Sequence, residues 1–249
     1  MGDYLKLFET HSEYETYIGG QDVLLPNVSY CEDNNELHYN PIVPPSRVIK
    51  TTINVETTSN LTVLFMDWYG TAWNKVESAL VTRPDGTSYE ISYNDLVQYD
   101  PYEDVDPYMC YQFDTIGIHT LEYTLKPNVT SLTNYDMLDN PRNILSIEIP
   151  NCISSIGTMA IGFCDKLTTL ILPNSITSLG ADTQDSIIAD ALNLTSVTIL
   201  ATIPPECYGI LITEHDGYTI YVPSESVNAY KVANHWATYA SKIQAIPTT

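Results

Sequence analysis

The sequence predicts an all-β fold: a β-sandwich followed by a short β-solenoid that a C-terminal helix caps. Three observations carry that prediction. The C-terminal half repeats itself: Ile144-Leu-Ser-Ile-Glu-Ile-Pro150-Asn-Cys-Ile-Ser-Ser-Ile-Gly157 lies over Leu167-Thr-Thr-Leu-Ile-Leu-Pro173-Asn-Ser-Ile-Thr-Ser-Leu-Gly180 at an offset of 23 residues. The stretch before it, Val48–Leu125, breaks into about six short β-branched and aromatic runs separated by turn residues, which is the spacing of a sandwich. Only 16% of the residues are charged, and 19 tyrosines with many Thr, Ser and Asn supply the polarity instead. Soluble domains average ~25% charged.

Residues 1–45 are the least regular part and read as an N-terminal docking segment. Tyr4–Ile18 is expected to form a short helix that Gly19-Gly20 ends, with Leu5, Phe8, Tyr14 and Tyr17 as its apolar anchors and Tyr4, Leu5, Leu7 and Phe8 as the docking residues. Asn27–Tyr30 and Glu36–Tyr39 are expected to pair as a hairpin, and Pro41-Ile-Val-Pro-Pro45 is a stiff linker. The segment is too small for a core of its own, so it must pack on another surface.

Residues 46–127 are expected to form the sandwich. Val48–Val55 and Asn60–Met66 are its first strands, and Pro84-Asp-Gly86 turns between Ala79–Thr82 and Ser88–Tyr93. Tyr108–Phe113 and His119–Leu125 are read as a last hairpin around Ile116-Gly117, and the acidic stretch Asp95–Asp106 as a loop.

Residues 128–249 are expected to form about four stacked coils. Leu194-Thr-Ser-Val-Thr-Ile199 repeats the coil opening 27 residues on, and Gly217-Tyr-Thr-Ile-Tyr-Val-Pro223 repeats it 23 after that. Each unit holds two short alternating strands, such as Leu167/Leu170/Leu172 and Ile176/Leu179, that cannot bury their apolar faces alone and so must stack. Pro150, Pro173 and Pro223 share one corner phase, and Gly157 and Gly180 mark the next bend. Ala181–Asn193 reads as an insert that lengthens one coil. Residues 224–241 read as the cap helix, N-capped by Ser224 or Ser226, with Val227, Tyr230, Ala233, Trp236 and Ala237 on its buried face and Trp236 as its anchor.

The chain carries 10 basic and 31 acidic residues, net −21. The balance is even: one base against eight acids in 1–45, five against twelve in 46–127, four against eleven in 128–249. So acidic a surface has too few cations to bind nucleic acid, and no run of apolar residues is long enough for membrane insertion. Met1-Gly-Asp-Tyr-Leu-Lys6 reads without an export leader. That leaves three origins open: a shortened chain, a cytoplasmic protein, or one released by lysis.

Little in the sequence reads as catalytic. Cys31, Cys110, Cys152, Cys164 and Cys207 are odd in number and lack a CxxC pair, so they read as buried thiols. The five histidines pair at metal spacing with no other His or Cys. No cofactor is expected. Calcium at Asp95, Asp100, Glu103, Asp104 and Asp106 is a weaker reading, since the loop lacks the alternating order of a calcium loop. The candidate binding surface is aromatic: Trp68, Tyr69 and Trp73 after the second strand, with Tyr99 and Tyr102 beside the acidic loop. Such rings stack on sugars or fill protein interfaces.

The repeats resemble a known family. Ile144–Gly180 and Leu194–Ile246 are similar to the BspA-like leucine-rich repeats of surface proteins from gut Bacteroidetes, and Ala160-Ile-Gly-Phe-Cys-Asp-Lys-Leu167 matches their A-F-x-x-C-x-x-L portion with Ile161 in place of Phe. Ala201-Thr-Ile-Pro-Pro205 and Ile220–Lys231 look like that family's terminal repeat and cap. Val48–Lys126 resembles the Ig-like β-sandwich that often precedes such repeats. The opening Tyr4–Tyr14 and Pro26–Pro41 resemble N-termini of proteins from Bacteroides and their phages.

The resemblance implies a non-enzymatic adhesion or host-recognition protein. With no leader in view, the leading expectation is a virion protein of a Bacteroidetes phage: a head fibre, capsid decoration or tail appendage at the virion surface. Its expected partners are a capsid or tail protein through residues 1–45, further copies of itself in a homo-oligomer, and host or mucosal glycans or proteins. The alternative is a bacterial cell-surface adhesin, and the remote one a carbohydrate-active enzyme.

Overall fold

A computed structural model describes residues 28–31, 36–39, 46–66, 73–99, 108–133, 138–139, 143–180, 186–212 and 216–248. It is mainly β, 43% strand, and the described residues hold one short α-helix. The chain divides into two compact units, Met1–Pro44 and Pro45–Thr249. In the first, β1 (Val28–Cys31) pairs antiparallel with β2 (Glu36–Tyr39), Val28 opposite Tyr39, as the sequence predicts. The expected Tyr4–Ile18 helix, the docking residues Tyr4, Leu5, Leu7 and Phe8, and the proline linker lie outside the described residues.

In the second unit the sandwich strands are β3 (Val48–Val55), β4 (Thr62–Met66), β5 (Val76–Thr82), β6 (Ser88–Ile91), β7 (Val97–Tyr99), β8 (Tyr108–Tyr111) and β9 (Gly117–Leu125). They form one layer in the order β3-β9-β5-β6 and a second in the order β4-β8-β7. Ile49, Ile53, Val81, Leu121 and Tyr123 of the first layer share one buried core with Leu64 and Met109 of the second. Alternation drives this: β9 reads His119, Leu121, Tyr123 and Leu125 inward, with the intervening residues half-buried. Pro84-Asp-Gly86 turns as predicted. Gly86 takes φ +87, and the Asp85 carboxylate accepts the Thr87 N–H at 2.9 Å and its hydroxyl at 2.7 Å.

Two sandwich expectations need correction. Tyr108–Phe113 and His119–Leu125 do not form a hairpin: β8 pairs with β4 and β7, while β9 pairs with β3 and β5. The chain crosses between layers at Ile116-Gly117. Phe113 is buried there edge-on to Tyr111, and Gly117 takes φ +117, where a Cβ would press on the Pro84 ring at 3.0 Å. Part of the acidic stretch is strand as well. Val97–Tyr99 pairs with β8, preceded by a 3-10 turn, Tyr93–Asp95. Because β3 pairs with β9 and β4 with β8, the pairing is nested. The described strands thus depart from the ABED and CFG orders of an immunoglobulin domain.

The repeats form three parallel ladders. One holds β10 (Ser131–Leu132), β13 (Ser155–Ile156), β16 (Ser178–Leu179) and β19 (Glu206–Cys207). The next holds β11 (Leu138–Asp139), β14 (Ile161–Gly162), β17 (Ser186–Ala189) and β20 (Ile210–Ile212). The main ladder holds β12 (Ile144–Glu148), β15 (Thr169–Leu172), β18 (Ser196–Ile199), β21 (Thr219–Val222) and β22 (Ile243–Ala245). Ile147, Leu170, Val197, Ile220 and Ile243 stand in register inside the main ladder, all buried. At the corner before each strand the Thr168 hydroxyl donates to the Leu145 carbonyl and the Thr195 hydroxyl to the Thr168 carbonyl, both at 2.9 Å. Each bond ties one coil to the coil before it.

β12 also pairs antiparallel with β3, so the main ladder continues into the sandwich as one nine-stranded sheet from β22 to β6. A stack of coils needs its end strands covered. The sandwich itself covers the first strand of the main ladder.

The structure alters the predicted coil layout in three places. The ladder of β11, β14, β17 and β20 was not expected, because Ile161-Gly162 carries no alternation to read. The insert is shorter than Ala181–Asn193: Ile188 pairs with Ile161 and Ala189 with Gly162, so Ser186–Asn193 are ordinary coil residues. Gly157 to Ile161 is four residues and Gly180 to Ile188 is eight, which confines the four extra residues to that interval. The cap is not one helix over 224–241. A 3-10 turn (Ser224–Ser226) leads into α1 (Val227–Val232), the chain breaks at Ala233–His235, a second 3-10 turn follows (Trp236–Tyr239), and β22 then adds a fifth parallel strand. Ala233 makes the break by turning extended (φ −67, ψ 150), and His235 at φ +63 keeps the helix from resuming, because a left-handed residue cannot continue a right-handed helix.

Candidate functional site

The ladder of β10, β13, β16 and β19 carries a row of shallow hollows along its outer face. Each two-residue strand turns one side chain in (Leu132, Ile156, Leu179, Cys207) and one out. The outward row is Ser131, Ser155, Ser178 and Glu206, at the ~4.8 Å spacing of paired strands. The hydroxyls beside this row hold the coils together. Thr177 donates to the Ser154 carbonyl at 3.0 Å, and Ser175 donates to Ile153 at 2.6 Å.

Four shallow hollows run along this row and share walls. The first, about 490 Å³, is lined by Asn74, Lys75, Lys126, Asn128 and the Val129–Ser131 and Thr133 edge. Ser131 and Thr133 also line the second, with Ser155, Gly157 and Ser178. Ser178 joins it to the third, which runs from Asn174 to Thr202–Glu206, and Glu206 joins that to the last, with Tyr208, Asn234 and His235. The result is one groove with lysines at the sandwich end, hydroxyls and amides in the middle, and a carboxylate at the cap end. The Tyr208 hydroxyl donates to Glu206 and so fixes that end of the groove.

The cap holds the far wall. Trp236 Nε1 donates to the Pro205 carbonyl at 2.7 Å, the Tyr230 hydroxyl to Ala201 at 2.9 Å, and the Ser226 hydroxyl to Thr202 at 2.7 Å. These three bonds pin the Ala201–Pro205 loop that floors the third hollow. The Tyr239 hydroxyl accepts the Leu211 N–H at 2.8 Å, which occupies an outward backbone group of the last coil. Trp236 is the anchor the sequence predicts. Ser226 spends its hydroxyl on Thr202 rather than capping the helix, and Ala237 is exposed.

A second polar surface is the outer face of the nine-stranded sheet. Ser88, Thr82, Thr120, Thr52, Ser146, Thr169, Ser196 and Thr219 stand side by side across eight strands. In the neighbouring row Lys50 sits between Glu122 and Glu148, bonded to Glu122 at 3.0 Å. That hydrogen bond, then the Glu122 and Glu148 charges, raises its pKa. This face is flat, and the groove is the better shaped of the two for a ligand.

The structure brings only part of the expected aromatic surface into view. Trp68, Tyr69 and Tyr102 lie outside the described residues. Trp73 opens a 3-10 turn (Trp73–Lys75) ahead of β5, and Tyr99 ends β7 opposite Tyr108; their side chains are likewise outside. Tyr89 and Tyr111 are half-buried against the core with ring centroids 6.4 Å apart. Of the calcium candidates, Asp95 is already engaged. Its carboxylate accepts the Ser92 hydroxyl and N–H, both at 2.7 Å, and these bonds lower its pKa. Asp100, Glu103, Asp104 and Asp106 lie outside the described residues, among which no three His, Cys, Asp or Glu side chains gather to hold a metal ion.

Groups that do chemistry elsewhere are held in structural roles. His119 is buried, 3.0 Å from the Thr115 hydroxyl and 3.2 Å from the Gly117 carbonyl. Burial pushes the Cys110 thiol up to about 11, and Cys110, Cys152, Cys164 and Cys207 are all unbridged. Lys75 and Lys126 carried no motif in the sequence. The row Ser131, Ser155 and Ser178 did carry a signal, since Val129-Thr-Ser-Leu132 matches Ile153–Ile156 and Ile176–Leu179. Among the described residues no helix is long and apolar enough to cross a membrane. The sequence matches no known family model, and no curated protein matches it.

Proposed function

We propose that this chain is a non-enzymatic structural and binding protein at the surface of a Bacteroidetes phage virion, as a head fibre, capsid decoration or tail appendage. In this reading residues 1–45 dock on a capsid or tail protein. The sandwich is an Ig-like two-layer spacer with its own strand order, and BspA-like leucine-rich coils face outward to meet host or mucosal glycans or proteins. The observation that supports it is the groove: repetition carries one polar row across four coils, the sandwich joins one end and the cap closes the other. Repeat proteins use such extended surfaces for recognition.

A bacterial cell-surface adhesin is the second reading, favoured by the likeness of Ala160–Leu167 to repeats of surface proteins. Mass spectrometry of purified phage particles beside washed outer membranes of uninfected host cells separates the two. Peptides of this chain in the particle fraction alone are expected. Peptides in the membrane fraction alone would overturn the virion reading.

A further inference from the structure

We propose that the cap end of the groove is a seat for one neutral sugar residue of a glycan, its ring stacked on Tyr208 and its hydroxyls held by Glu206 and Asn234. The proposal rests on the binding reading above and names the ligand class and its seat.

Glu206 and Tyr208 leave the last coil side by side. Their N–H groups donate to the Thr177 and Leu179 carbonyls of the coil before, both at 2.9 Å. Cys207 between them turns into the core, so alternation sends Glu206 and Tyr208 outward together. Tyr208 is 42% exposed, and its hydroxyl is spent on Glu206. That bond, with the Glu206 charge, raises the Tyr208 pKa, so the phenol keeps its proton and its direction.

The cap supplies the rest. Asn234 and His235 line one hollow of about 230 Å³ with Glu206 and Tyr208. They sit in the break after α1, where His235 takes φ +63 and Trp236, one residue on, is pinned to the Pro205 carbonyl. A cap that only covered the last coil has no need of this break, and a left-handed histidine is costly for an L residue. The break brings an amide and an imidazole into the hollow that holds the carboxylate. Among the described residues neither side chain has a hydrogen-bond partner; only the His235 carbonyl is taken, by the Thr238 hydroxyl at 2.6 Å.

What these groups donate and accept decides the ligand. A carboxylate accepts, an amide does both, and a neutral imidazole does one at each nitrogen. The exposed ring adds a flat apolar face. A neutral pyranose answers all of them, with C–H groups for the ring and hydroxyls for the carboxylate and amide. An acidic sugar or a phosphate is repelled by Glu206. A lysine side chain suits the ring and the carboxylate but offers no acceptor to the amide and imidazole N–H groups. The hollow is smaller than the ~300 Å³ at which drug-sized pockets begin, which suits a single ring. The next hollow shares Glu206, and Asn174, Thr177, Ser178 and Thr202 continue the polar wall there for a second residue.

Isothermal titration of the full chain tests the seat with named probes: neutral trisaccharides ending in galactose, glucose, N-acetylglucosamine or fucose, one ending in glucuronic acid, and the peptide acetyl-Lys-Lys-amide. At least one neutral trisaccharide is expected to bind, and the acidic one and the peptide to bind at least about tenfold more weakly. On the bound sugar Tyr208→Ala, Glu206→Gln and Asn234→Ala are each expected to lose about tenfold. Tyr208→Phe keeps the ring and should keep most of the affinity, and Thr52→Tyr on the flat sheet face should change nothing. Unchanged urea midpoints show that the variants fold. Wild-type affinity in Tyr208→Ala overturns the seat and leaves the groove reading standing. Equal binding of the acidic trisaccharide, or a preference for the peptide, overturns the neutral sugar. If no sugar binds, the proposal falls while the particle assay still decides the virion reading.

Discussion

At the scale of single residues, Thr51 is an anomaly in a well-satisfied core. It is fully buried on the inner face of β3, opposite Leu121 and Ile147, and its hydroxyl has no hydrogen-bond partner among the described residues. An unpaired buried hydroxyl costs more than an apolar group of the same shape. Thr51→Val should therefore stabilise the protein by about 1 kcal/mol, read as a higher urea midpoint at unchanged slope. A lower midpoint would mean that the hydroxyl has a partner. Acid sensitivity also belongs at this scale. Hydrogen bonds from Thr87, Ser92 and Arg83 lower the pKa values of Asp85, Asp95 and Asp114 respectively. Carboxylates lowered on folding stabilise above the unfolded pKa of ~3.9, and that contribution is lost as pH falls through the folded value. Asp95→Asn should thus be less stable than wild type at neutral pH, and the gap should close as pH falls through the lowered folded pKa of Asp95. A gap that persists in acid would assign it to packing rather than ionisation.

At the scale of elements, the cap shows what a sequence does and does not reveal. Its apolar anchors were legible, because Tyr230 and Trp236 recur at helical spacing and large aromatics in a short amphipathic stretch must be buried. The helix break was not. Ala233 turns extended and His235 left-handed, which neither residue type announces, and Ile243-Gln-Ala245 is too short to read as a strand. Stacking against β21 makes it one. The crossing at Ile116-Gly117 was misread for a similar reason, since a glycine between two strands marks a hairpin turn and a layer change alike. Of the candidate site, only the Ser131–Ser155–Ser178 phase was visible beforehand, because Lys75 and Lys126 meet through tertiary pairing. Trp236→Ala should cost about 3–5 kcal/mol through the cavity it leaves. Tyr239→Phe should cost about 1–3 kcal/mol by stranding the Leu211 N–H. Equilibrium urea unfolding measures both, and a neutral Tyr239→Phe would show that the edge does not depend on that hydroxyl.

At the scale of the whole molecule, charge and continuity govern behaviour. A net charge of −21 makes the folded chain self-repulsive. Raising ionic strength from about 0.01 to 0.15 M shortens the screening length from roughly 30 to 8 Å, so Tm should rise on that change. A falling Tm would give the net stabilising role to the surface ion pairs Arg47–Glu77, Arg83–Asp114 and Lys166–Glu56. Continuity matters more. The lysine end of the groove belongs to the sandwich and its hydroxyl row to the repeats. The groove keeps one shape only if the nine-stranded sheet, joined where β3 pairs with β12, holds both as a single body. Hydrogen exchange followed by mass spectrometry on the full chain reads this directly. Amides of β3 and β9 should open with the same free energy as those of β15 and β18, in one cooperative unit. Two separate opening energies, one for residues 46–127 and another for 128–249, would contradict it and leave the groove divided between independently moving parts.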